Sequence, residues 1–368
     1  MPNDQHAPEF GGLPVVEFTG WDALLSDFQT AMYWARNRRE VDPKRPASYD
    51  RLFEALAAPE SVAWRLRTRS GGPPEPRAYV PGKPTQDLDA YLDRFTDLVP
   101  PEAVRALVVG HLCTYDEPYG TEMDFEAVRD KLIELAPRLT NVRSLFYADV
   151  IQEEIEISWI EQTDLAPLVA AFPELAEFTV RGGGCGGLGL RVDGHTALRS
   201  LTVQSSVLHP EVVRDVSASS LPALEHLELW LGGDFYSKDG KVTVTADDLA
   251  PVLSGEAFPG LRRLGLRNTE RTGYWVRALA EAPVTPTLEA LDLSLGTLRD
   301  EDADVLLDAP AFRDLERLDL HHHFLSEDMA ERVRAEFAAA GVDVDLSEPK
   351  DPHEHHPEEP AYYTAVSE

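Results

Sequence analysis

A spaced apolar pattern, Leu-x-x-Leu-x-Leu with apolar substitutes, recurs along this chain and restricts it to an architecture built by stacking one repeated unit. Clear copies are Val104-x-x-Leu107-x-Val109, Val142-x-x-Leu145-x-Tyr147, Leu175-x-x-Phe178-x-Val180, Leu198-x-x-Leu201-x-Val203 and Leu224-x-x-Leu227-x-Leu229. Leu261-x-x-Leu264-x-Leu266, Leu288-x-x-Leu291-x-Leu293 and Leu315-x-x-Leu318-x-Leu320 follow, and Val342-Asp-Val344-Asp-Leu346 closes the series. With the middle apolar residue as anchor, the anchors fall at 107, 145, 178, 201, 227, 264, 291, 318 and 344. Alternation within each copy specifies a strand with the anchor and anchor+2 turned inward and anchor+1 and anchor+3 turned outward.

The segments between strands carry helical spacing. Ser326 is a good N-cap for a helix that places Met329, Val333 and Phe337 on one face. Thr245 to Leu253, Asp300 to Leu307 and Thr163 to Ala171 read the same way. Strand, helix, strand in one direction means parallel strands with helices on one side. The expected fold class is α/β: a right-handed solenoid with parallel strands on the concave face and helices on the convex face.

The pattern resembles bacterial leucine-rich-repeat proteins with ribonuclease-inhibitor-like repeats, over residues 104–346. The anchors are 38, 33, 23, 26, 37, 27, 27 and 26 residues apart. Five of these spacings fall in the roughly 20–29 residue range of such repeats, and the long ones leave room for insertions such as Gly232 to Val244. The chain departs from the family pattern five positions after the anchor, where Asn or Cys is expected. Here stand Leu112, Val150, Gly183, Ser206, Gly232, Thr269, Gly296 and His323, so the turns after the strands are expected to be irregular. Phe10-Gly-Gly-Leu13-Pro14 and Ser61-Val-Ala-Trp-Arg-Leu66 are similar to segments of an uncharacterised family of such bacterial proteins, often encoded beside radical-SAM and ATP-grasp proteins. That resemblance implies a context and no activity.

Around the repeats, residues 1–103 read as an N-terminal extension with a capping strand-helix unit, 104–346 as the solenoid, and 347–368 as a flexible acidic, His-rich tail. Val62, Trp64 and Leu66 alternate with Ala63, Arg65 and Arg67 as a strand, Gly71 to Pro84 is loop-like, and Asp87 to Leu98 is helical. Trp21 to Arg39 has helical stretches, and Arg36 to Arg39 with Lys44-Arg45 form the densest basic patch. Within the tail, Tyr362 to Val366 has two readings, a segment lying on the solenoid or a recognition tag.

Charge sets the partner class. Asp and Glu number 65 against 34 Lys and Arg, a formal net charge of −31. A surface this acidic repels phosphate backbones and anionic lipid and steers in a basic partner. Nucleic acid and membrane are therefore not expected as partners. Two cysteines, Cys113 and Cys185, cannot build a disulfide framework. The first twenty residues show no signal-peptide pattern and no apolar run is long enough to span a bilayer, so a cytoplasmic location is expected.

Tempting chemistry dissolves on inspection. His321-His322-His323 and His353-Glu354-His355-His356 suit a transition metal, but the second group is on the tail and no zinc-binding motif supports them. The run Gly182 to Gly187 lacks the Gly-Lys-Ser/Thr ending of a phosphate loop. Its Cys185 stands seven after an anchor, the inward slot of Leu208, Leu298 and Leu325. No catalytic constellation, metal or cofactor is expected.

The outward strand positions are the informative surface. Phe146 is expected there as a large exposed aromatic, and Glu228, Asp292, Asp319 and Asp345 as an acidic row with Trp230, Arg267 and His321 beside it. Trp and Arg are enriched at binding hot spots. The functional expectation is a non-enzymatic scaffold that binds a protein or peptide on this face. The alternative is an accessory subunit of a peptide-modifying system with its own C-terminal tail as ligand or substrate.

Overall fold

In the computed structural model, which describes residues 4–19, 47–68, 88–112, 123–183, 186–237, 240–352 and 361–366, anchors such as Leu107 and Leu145, or Leu227 and Leu264, are Cα partners across parallel ladders. The chain forms two compact units. One comprises His6–Ile155 and Pro167–Phe178, here the N-terminal unit. The other comprises Met1–Gln5, Glu156–Ala166 and Thr179–Glu368, the C-terminal unit.

In the N-terminal unit, β1 (Glu9–Phe10) pairs antiparallel with β2 (Leu13–Thr19) through a two-residue turn. Gly11 and Gly12 both have positive φ there, 59° and 70°, as such a tight hairpin turn requires. After α1 (Ala47–Ala57), β3 (Ala63–Arg67) lies parallel to β2. α2 (Leu88–Leu98) leads to β4 (Ala106–Val109), and α3 (Phe125–Leu135) to β5 (Ser144–Tyr147). The register runs Val16↔Trp64↔Leu107↔Leu145, so the repeat begins two strands before its first clear copy in the sequence. α4 (Ala166–Ala171) and β6 (Glu177–Arg181) straddle the division between the units.

The C-terminal unit continues with β7 (Ser200–Gln204), α5 (Pro210–Ser217) and β8 (His226–Gly232). The long insertion after β8 holds a small antiparallel hairpin, β9 (Phe235–Ser237) with β10 (Gly240–Val242), and then the short helix α6 (Ala250–Leu253). Next come β11 (Arg263–Thr269), α7 (Thr272–Ala280), β12 (Ala290–Asp292), α8 (Asp300–Asp308), β13 (Arg317–Asp319), α9 (Glu327–Ala340) and β14 (Asp343–Asp345). The hairpin stays out of the ladder, and the register passes unbroken from Leu201 through Leu227, Leu264, Leu291 and Leu318 to Val344.

The inward positions are buried as expected, while in β3, β4 and β5 the outward positions are buried too. Leu107, Leu145, Phe178, Leu201, Leu227, Leu264, Leu291 and Leu318 are buried, as are the anchor+2 residues from Val109 to Leu346. Ser326 caps α9 by accepting from the Met329 N–H at 3.3 Å, and Val333 and Phe337 of that helix are buried. Two helices are shorter than their spacing suggests. Thr163 to Leu165 is drawn into an extended bridge, Asp164 with Gly189, so α4 starts at Ala166. Asp248 accepts from both the N–H and the hydroxyl of Thr245 at 2.9 Å, which closes a turn and delays α6 to Ala250.

The turns after the last strands are regular, contrary to expectation. Asn268, Leu295, His322 and Glu348, each four after an anchor, all adopt positive φ between 50° and 64°. Asn268, Leu295 and His322 donate their N–H groups to the carbonyls of Ser294, His321 and Ser347 in the following repeat, each at 3.0 Å. A left-handed non-glycine residue costs about 1–2 kcal/mol, and this inter-repeat bond is what each position gains in return.

Arg36 to Arg39, Lys44-Arg45, Gly71 to Pro84, both cysteines and His353 to His356 lie outside the described residues.

Candidate binding face

Of the residues singled out on the outward face, Phe146 belongs to the N-terminal unit, and there the face is covered. The β1–β2 hairpin lies on it, forming a cluster of Phe10, Ala63, Ala106, Val108 and Phe146, with Ala7, Leu13 and Val15 packed against it. Phe10 and Phe146 stack with ring centroids 5.7 Å apart. Phe146 is thus 4% exposed and is no exposed aromatic. The alternation correctly turned it away from the helices but was silent about what covers it.

The same face holds buried ion pairs that sequence reasoning missed. The Arg65 guanidinium meets Asp149 at 2.8 Å and donates to the Ala7 carbonyl at 2.6 Å. Arg67 donates through Nε to Glu154 at 2.7 Å and pairs with Glu17 at 3.1 Å. Burial opposes the charge on Arg67, but Glu17 and Glu154 outweigh it and hold its pKa above the usual arginine value. His6 reaches the same group, its Nδ1 3.1 Å from the Asp149 carbonyl and its Nε2 3.5 Å from Glu154. The available signal was two arginines at outward strand positions, since an unpaired charge there would not be buried.

The other seven residues lie in the C-terminal unit, where six of them come together on its open face. Glu228 and Gly265 are Cα partners, and Asp292, Asp319 and Asp345 follow in one row. Gly265 matters because a Cβ there would sit 3.1 Å from the Glu228 side chain. Arg267 crosses this neighbourhood, its Nη1 3.1 Å from Glu228 and its Nε 3.0 Å from the Ser294 hydroxyl and 3.3 Å from Asp292. Its guanidinium also lies 5.4 Å from the Trp230 ring centroid. Trp230 donates its indole N–H to Glu228 at 2.7 Å and is 3% exposed, so it supports the face from beneath and is not displayed on it.

The aspartates have a backbone role as well as a charge. Asp292, Asp319 and Asp345 accept from the N–H groups of Ser294, His321 and Ser347, two residues on, at 2.9, 3.1 and 2.9 Å. Each closes an Asx turn that ends its strand. Burial raises the Asp292 pKa above the usual carboxylate value despite Arg267. Burial acts in the same sense on Asp319, but bonds from His321 reverse it and leave Asp319 below its usual value. The 2.7 Å contact with Asp319 holds His321 above the ordinary imidazole value.

Among the described residues, one group could gather donor atoms around a cation. Asp319, His321 and Asp345 can each bring a ligand atom within 4.8 Å of the others. Arg317 already stands 3.7 Å from Asp319 and 3.9 Å from Asp345, so a cation would compete with a resident guanidinium. His323 is occupied structurally, its Nε2 3.2 Å from the Leu346 carbonyl and its Nδ1 accepting from the Leu325 N–H at 3.2 Å.

No known protein-family description matches the chain, and no curated protein matches it. Among solved structures it is similar to a Bacteroides fragilis protein determined by a structural genomics consortium, with 27% identity and a TM-score of 0.64 over 75% of this chain and 72% of that one. A Listeria monocytogenes internalin also aligns, at 16% identity and a TM-score of 0.34, over 80% of this chain and 63% of the internalin. At that score the second likeness carries nothing about fold or function. The class that the fold defines is a mixed α/β repeat protein whose repeating strands are parallel. Among the described residues no helix is long and apolar enough to cross a membrane.

Proposed function

We propose that the chain is a leucine-rich-repeat scaffold, non-enzymatic, that holds a basic segment of a protein or peptide on the open face of its C-terminal unit. The observation that carries this reading is the row Asp292, Asp319, Asp345. These residues occupy the same position on adjacent strands, in register, and all stay partly accessible. Adjacent strands lie about 4.8 Å apart, so three carboxylates at that spacing present a linear array to the side chains of an extended cationic segment. Glu228 and His321 flank the row, and Arg267 holds Glu228 and Asp292 in place. The net charge of −31 supports the same polarity of partner.

The test is affinity purification from the native cell with the wild-type chain and with Asp292→Asn, Asp319→Asn, Asp345→Asn combined. The triple variant should lose a partner that the wild type retains, and added salt should weaken the wild-type interaction. A partner held equally by both chains would place binding elsewhere. Trp230 is left intact because its burial makes any substitution a stability change.

A further inference from the structure

The C-terminal unit carries its own peptide on a second surface, the edge where its strands end. Residues 362–366 cross three successive repeats in reverse order. Tyr362 packs edge-on against Phe324, ring centroids 5.2 Å apart, and lies 5.2 Å from the Arg299 guanidinium. Ala365 donates its N–H to the Leu295 carbonyl at 2.9 Å. Val366, 1% exposed, then meets Asn268.

That last contact is reciprocal. The Asn268 carboxamide oxygen accepts the Val366 N–H at 2.9 Å, and its nitrogen donates to the Val366 carbonyl at 2.8 Å. One side chain thereby reads both main-chain groups of one residue, across 98 positions of sequence. The remaining contact of the carboxamide nitrogen is a longer one, 3.4 Å to the Ser205 carbonyl. Asn268 is fully buried, and buried polar atoms are expected to be hydrogen-bonded. Leu295 and His322 occupy the equivalent turn position in the next repeats with the same positive φ, so the turn itself does not demand a carboxamide.

We propose that this edge is a peptide-recognition slot, read by Asn268, that takes a short segment with an aliphatic residue opposite Asn268 and an aromatic residue four positions earlier. The chain's own Tyr362–Val366 fills it in cis, and a partner segment of the same pattern docks there in trans when the tail is withdrawn. The main-chain bonds supply affinity that is indifferent to sequence. The buried Val366 side chain and the Tyr362 ring supply the selectivity. The slot uses none of the row residues of the open face, so either site can fail without the other.

The probe is a fluorescent synthetic peptide of residues 361–368, titrated by anisotropy into full-length chains. Val366→Asp should expel the resident tail, because a carboxylate cannot occupy that site without a partner. This variant should bind the peptide saturably and at least tenfold tighter than the wild type, whose tethered tail competes at high effective concentration. Adding Asn268→Gly, which keeps the positive φ and removes the carboxamide, should weaken binding at least tenfold. If Val366→Asp proves unfolded by circular dichroism, Tyr362→Ala serves in its place. A folded, tail-released chain that shows no saturable binding, or binding unchanged by Asn268→Gly, overturns the proposal.

Discussion

The Nδ1 atom of His323 accepts the backbone N–H of Leu325, so the neutral ring carries its proton on Nε2, facing the Leu346 carbonyl. Protonating Nδ1 would turn that acceptor into a donor aimed at another donor. Burial accordingly holds the His323 pKa below the ordinary value, and burial does the same for His226 and His322. His321 is shifted the other way by its bond to Asp319.

The pH dependence follows with a definite sign. An unfolded imidazole takes up its proton near pH 6.5, whereas the three buried rings resist until a lower pH. Stability from them is lost as pH falls below about 6.5 toward the depressed folded values. The contribution of His321 is complete below about 6.5 and fades as pH rises through its raised folded value. The three depressed rings predict a lower unfolding midpoint at about pH 5.5 than at about pH 7.5, with His321 acting in the opposite sense. Asn at position 323 offers Leu325 the same acceptor without a titrating ring, so His323→Asn should narrow that gap. Equal gaps in both proteins would mean that His323 is not the sensor described.

The aspartate row permits charge and geometry to be separated. Asn preserves an oxygen facing the N–H two residues on, and Ala does not. Each lost side-chain-to-backbone bond costs about 0.5–1.5 kcal/mol. Replacing Asp292, Asp319 and Asp345 together by Ala should therefore destabilise the chain by at least about 1.5 kcal/mol more than replacing them by Asn. Urea midpoints of the two triple variants measure the difference. Coincident midpoints would reduce the Asx turns to incidental contacts.

The inward half of these strands was legible because period-2 alternation reports burial directly, and the anchors fall into register within each unit, Leu107 with Leu145 in one and Leu201 through Val344 in the other. What covers an outward residue is another matter, since it depends on segments far away in sequence. Phe146 is covered by Phe10, 136 positions earlier, and Trp230 by neighbours that include Arg267 of the next strand. The backbone role of the acidic row had a readable signal, Asp-x-Ser, Asp-x-His and Asp-x-Ser at three successive strand ends. A reading that treats outward charges as display passes over it. Asn268 carried no local signal, because its partner is the tail.

Arg65 and Asp149 form a pair whose members are 8% and 0% exposed. Removing one partner of such a pair strands the other and typically costs about 3–5 kcal/mol. Asp149→Ala should lower stability by an amount in that range. Asp149→Leu with Arg65→Met, which leaves no charge behind, should cost less than either single change. A double-mutant cycle on thermal or urea unfolding isolates the coupling. A loss below about 1 kcal/mol for Asp149→Ala would show that water reaches the pair.

The covering hairpin can be tested at its turn. Gly11 and Gly12 share positive φ, so alanine at either is strained by about 1–2 kcal/mol. Their surroundings differ. A Cβ on Gly12 meets nothing within 4 Å, whereas one on Gly11 falls 2.7 Å from the Ser144 hydroxyl and 2.9 Å from its Cβ. Ser144 is a buried residue of β5, so it has little freedom to retreat. Gly12→Ala should therefore show only the strain, while Gly11→Ala adds a clash that lifts the hairpin from the face. Hydrogen exchange at Phe10 to Val16, and accessibility of Phe146 to an apolar dye, should rise in Gly11→Ala and stay near wild type in Gly12→Ala. Matching behaviour in the two variants would mean that the turn does not rest on β5, and the covered state of Phe146 would need another cause.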